Sequence, residues 1–150
     1  MRNPPAAEIF LMRFLCIDLG DKRTGLAICN SEETIASPLE VFEGGGDLSE
    51  KIAETVRAYQ AEGIVFGLPL NMDGSEGDRT ALVRKFAAEL AKKTPTPLPL
   101  FFQDERLSSF SAQQKLARTG LTHKKKKNRL DAIAAAEILT EFIAKRKKEG

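Results

Sequence analysis

The 150 residues fit one ordinary domain, large enough to bury roughly 70% of its unfolded surface without a disulfide or structural metal. With 42% hydrophobic and 29% charged residues the chain is neither disordered nor fibrous, and no apolar run approaches the roughly 18 residues of an integral membrane span. Charge is uneven: residues 1–122 hold 14 Lys/Arg against 17 Asp/Glu and residues 123–150 hold 9 against 4, so a basic quarter follows an acidic body and points to a local polyanion contact.

Residues 1–12 carry Glu8 within their apolar part; they read as a disordered leader, not a signal peptide, ahead of a single domain at 13–150. Phe14 to Asp18 is an apolar run ending in a carboxylate, the mark of a buried strand. Gly25 to Cys29 follows as its hairpin partner. Thr34 to Phe42 is a third strand, which Pro38 assigns to an edge. After the joint at Gly44 to Gly46, Asp47 and Glu50 predict a capping box. Leu48, Ile52, Val56 and Tyr59 then mark one helical face that Gly63 ends.

Ile64 to Leu68 is a short strand buried on both faces. A turn-rich loop, Pro69 to Gly77, leads to a helix with Leu82, Phe86 and Leu90 in register, stopped by Thr94 to Pro97. Leu98 to Phe102 makes the fifth strand. Ser108 or Ser109 caps a helix to about Arg118, closed by Gly120. A basic loop, His123 to Lys127, precedes a final helix from Asn128 to about Lys147. This order demands an α/β fold with a five-stranded mixed sheet, antiparallel in its first three strands and flanked by helices.

Cys16 and Cys29 have no CxxC spacing, and His123 is the single histidine. A Cys/His zinc site therefore lacks ligands, and both thiols read as free and buried. Carboxylates are better placed for chemistry. Asp18 ends the first strand, Glu105 follows the fifth, and Asp131 opens the last helix on the face of Ala135, Ile138 and Phe142. Strand ends of open α/β sheets converge on one edge, where ligands bind. Three acids meeting there repel one another unless a hard cation, Mg2+ or Mn2+, lies between them, and two such ions suit phosphodiester hydrolysis. Each acid also has a plain reading: Asp18 as a strand terminus, Glu105 with Asp104 as surface partners of Arg106, Asp131 as a helix-dipole residue.

The run Phe14 to Gly20 with Lys22-Arg23-Thr24-Gly25 resembles the opening motif of the YqgF (RuvX) family of RNase H-like nucleases. Gly67 to Ser75, Asp104 to Ser109, and Lys126-Lys127 with Asp131 to Ala135 are similar to that family's later motifs, in the same order. Only the Asn128-Arg129-Leu130 lead-in departs from the pattern, being longer and less apolar. The resemblance implies an RNase H-like fold, metal-dependent cleavage of nucleic acid, and Asp18, Glu105 and Asp131 as the catalytic, metal-binding acids. It implies a cytoplasmic nuclease acting on the precursor of 16S ribosomal RNA or, alternatively, a Holliday-junction resolvase acting on branched DNA.

Around such a site Lys22, Arg23 and Arg106 are candidate phosphate ligands. Asn71 and Ser75 supply hydrogen bonds from a loop whose Gly74 and Gly77 allow close backbone approach. Lys124, Lys125, Lys126 and Lys127 would grip the nucleic-acid backbone without reading sequence. A monomer and a homodimer both fit the sequence, although resolving a four-way junction asks for two sites related by a two-fold axis. Two other classes compete. Asp18-Leu19-Gly20 with Thr24-Gly25 also resembles the phosphate loop of actin-like ATPases, which need a second such domain. A non-catalytic RNA-binding assembly factor would use the basic segment alone.

Overall fold

The computed structural model describes residues 11–44, 46–94, 98–106 and 123–149, with side chains from 131 to 148 in the last stretch. Five strands, β1 (Phe14–Leu19), β2 (Arg23–Cys29), β3 (Ala36–Glu43), β4 (Gly63–Leu68) and β5 (Leu100–Asp104), form one sheet in the order β3-β2-β1-β4-β5. The pairs β1–β2 and β2–β3 are antiparallel, while β1–β4 and β4–β5 are parallel. Helices α1 (Leu48–Ala58) and α2 (Asp78–Ala91) supply the crossovers, and α3 (His123–Glu149) closes the described chain. The expected mixed five-stranded sheet is what forms.

Side chains alternate across the pleat, and the two faces of the sheet carry two cores. Leu15, Ile17, Leu26, Ile64 and Phe66 pack with Ile52, Ala53 and Val56 of α1 and with Val83, Ala87 and Leu90 of α2. Phe14, Cys16, Ala27, Cys29 and Val65 pack on the other face against Ala135, Ile138, Leu139 and Phe142 of α3. The face of α3 read from the sequence is thus the buried one. Both cysteines are free and buried, and burial pushes the Cys16 thiol well up. At the far end of β1, fully buried Glu33 accepts from Arg146 Nε at 2.9 Å and from the Met12 backbone N–H at 2.8 Å. That pins the start of β1 to the end of α3.

Pro38 does sit in an edge strand, beside a register shift in which Leu26 faces Glu40 and Ala27 faces Pro38. Asp47 caps α1 by accepting from the Glu50 N–H at 3.1 Å, but the Glu50 carboxylate lies 3.5 Å from Arg57 and completes no box. Tyr59 is outside the buried face, and the turn after α1 is made by Gln60 at φ 55°. Gly63 begins β4 instead of ending the helix, because a Cβ there would stand 2.6 Å from the Phe14 ring.

On α2 the inward face runs through Val83, Ala87 and Leu90, and Leu82 is 60% exposed. The smaller residues let the helix lie close on Phe66, with Phe86 meeting that ring edge-on at the rim. The fifth strand runs two residues later than its sequence signal. The segment His123 to Lys127, expected as a loop, is the first part of α3; lysine is a good helix former and no Gly or Pro interrupts it. The helix expected from Ser108 or Ser109 to Arg118 lies outside the described residues, as does the leader up to residue 10.

Candidate active site

Pleat alternation continues past the α3-side core. Phe14 and Cys16 on β1 are followed on the same face by Asp18, and Cys29 and Ala27 on β2 by Gly25. Asp18 and Gly25 are direct partners in the β1–β2 ladder. On the other side of β1, Gly67 stands one residue beyond the Ile17–Phe66 pair. Asp18 is therefore flanked by glycine on both neighbouring strands, and each glycine makes room for something. A Cβ on Gly25 would collide with the Asp131 backbone carbonyl, with Ala132 N at 3.0 Å. A Cβ on Gly67 would collide with the Glu105 carboxylate, with Ile138 Cδ1 at 2.9 Å.

Glu105 directly follows β5, and its N–H reaches the Leu68 carbonyl at 3.4 Å. Its carboxyl is hydrogen-bonded to that of Asp18. Burial raises the Asp18 pKa first, opposed by the bond from Glu105; the Asp131 charge raises it further and the Arg79 guanidinium lowers it. Burial also dominates at Glu105, which the Asp18 charge and the shared bond help to push up to about 8. Both acids are thus pushed towards the protonated form, and a proton held by the pair at neutral pH relieves the repulsion that a cation would otherwise relieve.

Asp131 stands at the same sheet end through the Gly25 contact, and its Oδ2 accepts from Arg23 Nε at 2.7 Å. The structure therefore joins Asp18 to Glu105 directly, and puts Asp131 near enough to act on Asp18 while pairing it with Arg23. Among the described residues no three acid, cysteine or histidine side chains form a ready-made cation cage. The donor set nevertheless fits a hard divalent ion. It consists of carboxylate oxygens, and a cation bound among them would relieve the repulsion that raises the Asp18 and Glu105 pKa values.

The phosphate-ligand candidates are differently engaged. Asn71 Nδ2 donates to Ser75 Oγ at 3.0 Å and Ser75 Oγ donates to Asp73 Oδ1 at 2.6 Å, so both residues serve the 69–77 loop itself. Arg106 pairs with Asp104 at 2.7 Å and donates to the Met72 carbonyl at 3.0 Å. Lys22 is exposed, and its carbonyl accepts from the Gly44 N–H at 2.7 Å. Lys124 to Lys127 lie on the first turns of α3, and their side chains are outside the described residues.

Arg79 is the residue that sequence reasoning missed. It lies in the first turn of α2 and lines a cleft with Gly20, Asp21 and Pro69. It is the cation that lowers the pKa of both Asp18 and Glu105. The available signal was position: the helix after β4 begins at the sheet edge where Asp18 ends β1.

The carboxyl pair gives the cation-free protein a definite pH dependence. Because the folded pKa of Glu105 lies above its unfolded value, between about pH 4.5 and 8 the folded state binds more protons than the unfolded one, and stability falls as pH rises. Asp18 is raised too and acts in the same sense. Chelator-treated protein is expected to melt several degrees lower at pH 8 than at pH 5, read by calorimetry; a higher melting point at pH 8 would contradict the shared proton.

Residues 12–145 match the family model described as "RuvX: Holliday junction resolvase". A protein of Anaeromyxobacter sp. (strain Fw109-5) named "Putative pre-16S rRNA nuclease" is 44% identical over 88% of this chain and 96% of its own length. One of the same name from Orientia tsutsugamushi (strain Ikeda) is 42% identical over 89% and 84%. Among solved structures, T. thermophilus RuvC in complex with Holliday junction substrate matches with a TM-score of 0.57 at 16% identity, covering 90% of this chain and 95% of that one. Fowlpox virus resolvase with substrate Holliday junction DNA matches at 0.56 and 10% identity, covering 89% and 98%. Those two likenesses concern the fold. The sequence match spans both halves of the acid pair and the helix that carries Asp131, and on that ground the chain belongs to the RuvX (YqgF) family of Holliday junction resolvases and is a nuclease.

Proposed function

We propose that this nuclease cuts the precursor of 16S ribosomal RNA, with Asp18, Glu105 and Asp131 holding two divalent cations, Mg2+ or Mn2+. What carries the reading is the geometry at the open end of β1, where Gly25 and Gly67 flank Asp18 and leave room for the Asp131 backbone on one side and the Glu105 carboxylate on the other. Bound there, the ions supply a nucleophilic water and neutralise charge at the leaving oxygen of a phosphodiester. The chain's own residues do the rest. Gly67 and Gly25 hold Glu105 and Asp131 against Asp18 without intervening side chains. Arg23 limits the negative charge of the cluster by pairing with Asp131. Arg79 brings a guanidinium near enough to lower the pKa of both half-buried acids, a place for a scissile-strand phosphate. The lysines at 124–127 extend backbone contact along α3.

The substrate name comes from the relatives, and the family description favours a second reading, a four-way DNA junction. One experiment separates them. Purified protein with Mn2+ is incubated in parallel with a precursor 16S rRNA end and a synthetic four-way junction, and its mass in solution is measured. Cleavage of the RNA with the junction left whole is the expected result. Cleavage of the junction alone, by a dimer able to place two sites about a two-fold axis, would replace it with the resolvase reading.

A further inference from the structure

Asn71, Asp73 and Ser75 bond mainly to one another, which stiffens the 69–77 loop from within. What the loop presents outward is Met72, 81% exposed. Its carbonyl is held by Arg106 Nη1 at 3.0 Å, and Arg106 is held in turn by Asp104. The two residues flanking Glu105 thus fix where Met72 stands. Beside it opens a cleft of about 350 Å3 lined by Met72, Gln103, Asp104, Arg106 and Glu141, a size suited to a small planar group.

Its charge selects the occupant. Two carboxylates line the cleft, and its arginine is already paired with one of them, so a phosphate is repelled while N–H donors are accepted. Gln103 adds both a donor and an acceptor, and Met72 an apolar, polarisable surface that suits an aromatic ring. A nucleobase offers an apolar face and an edge of N–H groups together; sugar and phosphate do not.

We propose that this cleft receives one unstacked nucleobase of the strand being cut, with Met72 against its face and Gln103, Asp104 and Glu141 towards its hydrogen-bonding edge. The assignment rests on the reading that a nucleic-acid strand is the substrate. Bases bearing an exocyclic amino group (guanine, adenine, cytosine) are favoured over uracil, whose edge offers carboxylates a single donor. Methionine is among the apolar side chains that proteins press against opened base steps.

The test uses the full chain in chelator with oligonucleotides carrying 2-aminopurine at each position in turn, followed by cleavage with Mn2+. One position is expected to brighten several-fold on binding, and Met72→Ala to abolish that signal. Removing the base at that position should slow wild-type cleavage roughly 5- to 100-fold, with little further loss in Met72→Ala. Strands that bind and are cut with no position brightening, or brightening unchanged in Met72→Ala, would overturn the cleft while leaving the substrate reading intact. If wild-type protein neither binds nor cuts any strand, the substrate reading fails and the cleft assignment falls with it.

Discussion

Glu105→Gln is expected to lower cation-dependent cleavage about 10³-fold and, in the same protein, to raise the melting temperature of the cation-free form at pH 8. Both effects have one cause. The wild-type pair holds a half-buried carboxylate against a second acid whose pKa is pushed up to about 8, so around that pH part of the population carries two adjacent negative charges. A neutral amide removes the repulsion and still donates to Asp18, but it offers a hard cation one weak oxygen in place of a carboxylate. At pH 5, where Glu105 already holds its proton, the variant should melt within a degree or two of wild type. Asp18→Asn should show the same loss of cleavage. Single-turnover assays and calorimetry at both pH values check the pairing. Full activity in Glu105→Gln, or destabilisation at pH 8, would break it.

The two glycines beside Asp18 are expected to fail in opposite ways. At Gly25 an added Cβ meets the backbone of Asp131 and Ala132, which can yield only if α3 shifts bodily off the sheet. Gly25→Ala should cost about 3 kcal/mol, at the upper end for overpacking, and lower the urea midpoint accordingly. At Gly67 the obstructing groups are the Glu105 carboxylate and the tip of Ile138, both side chains that can rotate. Gly67→Ala should cost about 1 kcal/mol in stability, yet reduce cleavage about 100-fold by displacing Glu105 from Asp18. Urea unfolding beside single-turnover rates checks the contrast. A Gly25→Ala protein as stable as wild type would show that Asp131 is not held where the structure has it.

Much of this was legible in the sequence, and the misses share a physical cause. The apolar strands, the α3 face through Ala135, Ile138 and Phe142, and the edge position of Pro38 follow from patterning alone. The α2 face departs from the sequence pattern at Leu82, because the residues nearest the sheet are the small Val83 and Ala87 and the larger leucine is left outside. Gly63 reads as a helix stop in one dimension, while its purpose, clearance for Phe14, is tertiary. The same holds at the site. Asp18, Glu105 and Asp131 stood out as acids at the ends of elements, but the pairing of Asp131 with Arg23 and the closeness of Arg79 depend on how α2 and α3 lie on the sheet. Asn71 and Ser75 stand out in the sequence as ligand groups, and what the sequence does not show is that their side chains bond within their own loop.

With the Glu105 pKa pushed up to about 8 beside Asp18, a divalent cation that binds the pair at neutral pH must displace a proton. Calorimetric titration of Mn2+ at pH 7, repeated in buffers of different ionisation enthalpy, counts protons released on binding. The expected result is about one proton per protein for wild type and close to none for Glu105→Gln, because binding must displace the proton that Glu105 keeps. Binding with no proton release in wild type, or equal release in both proteins, would contradict it.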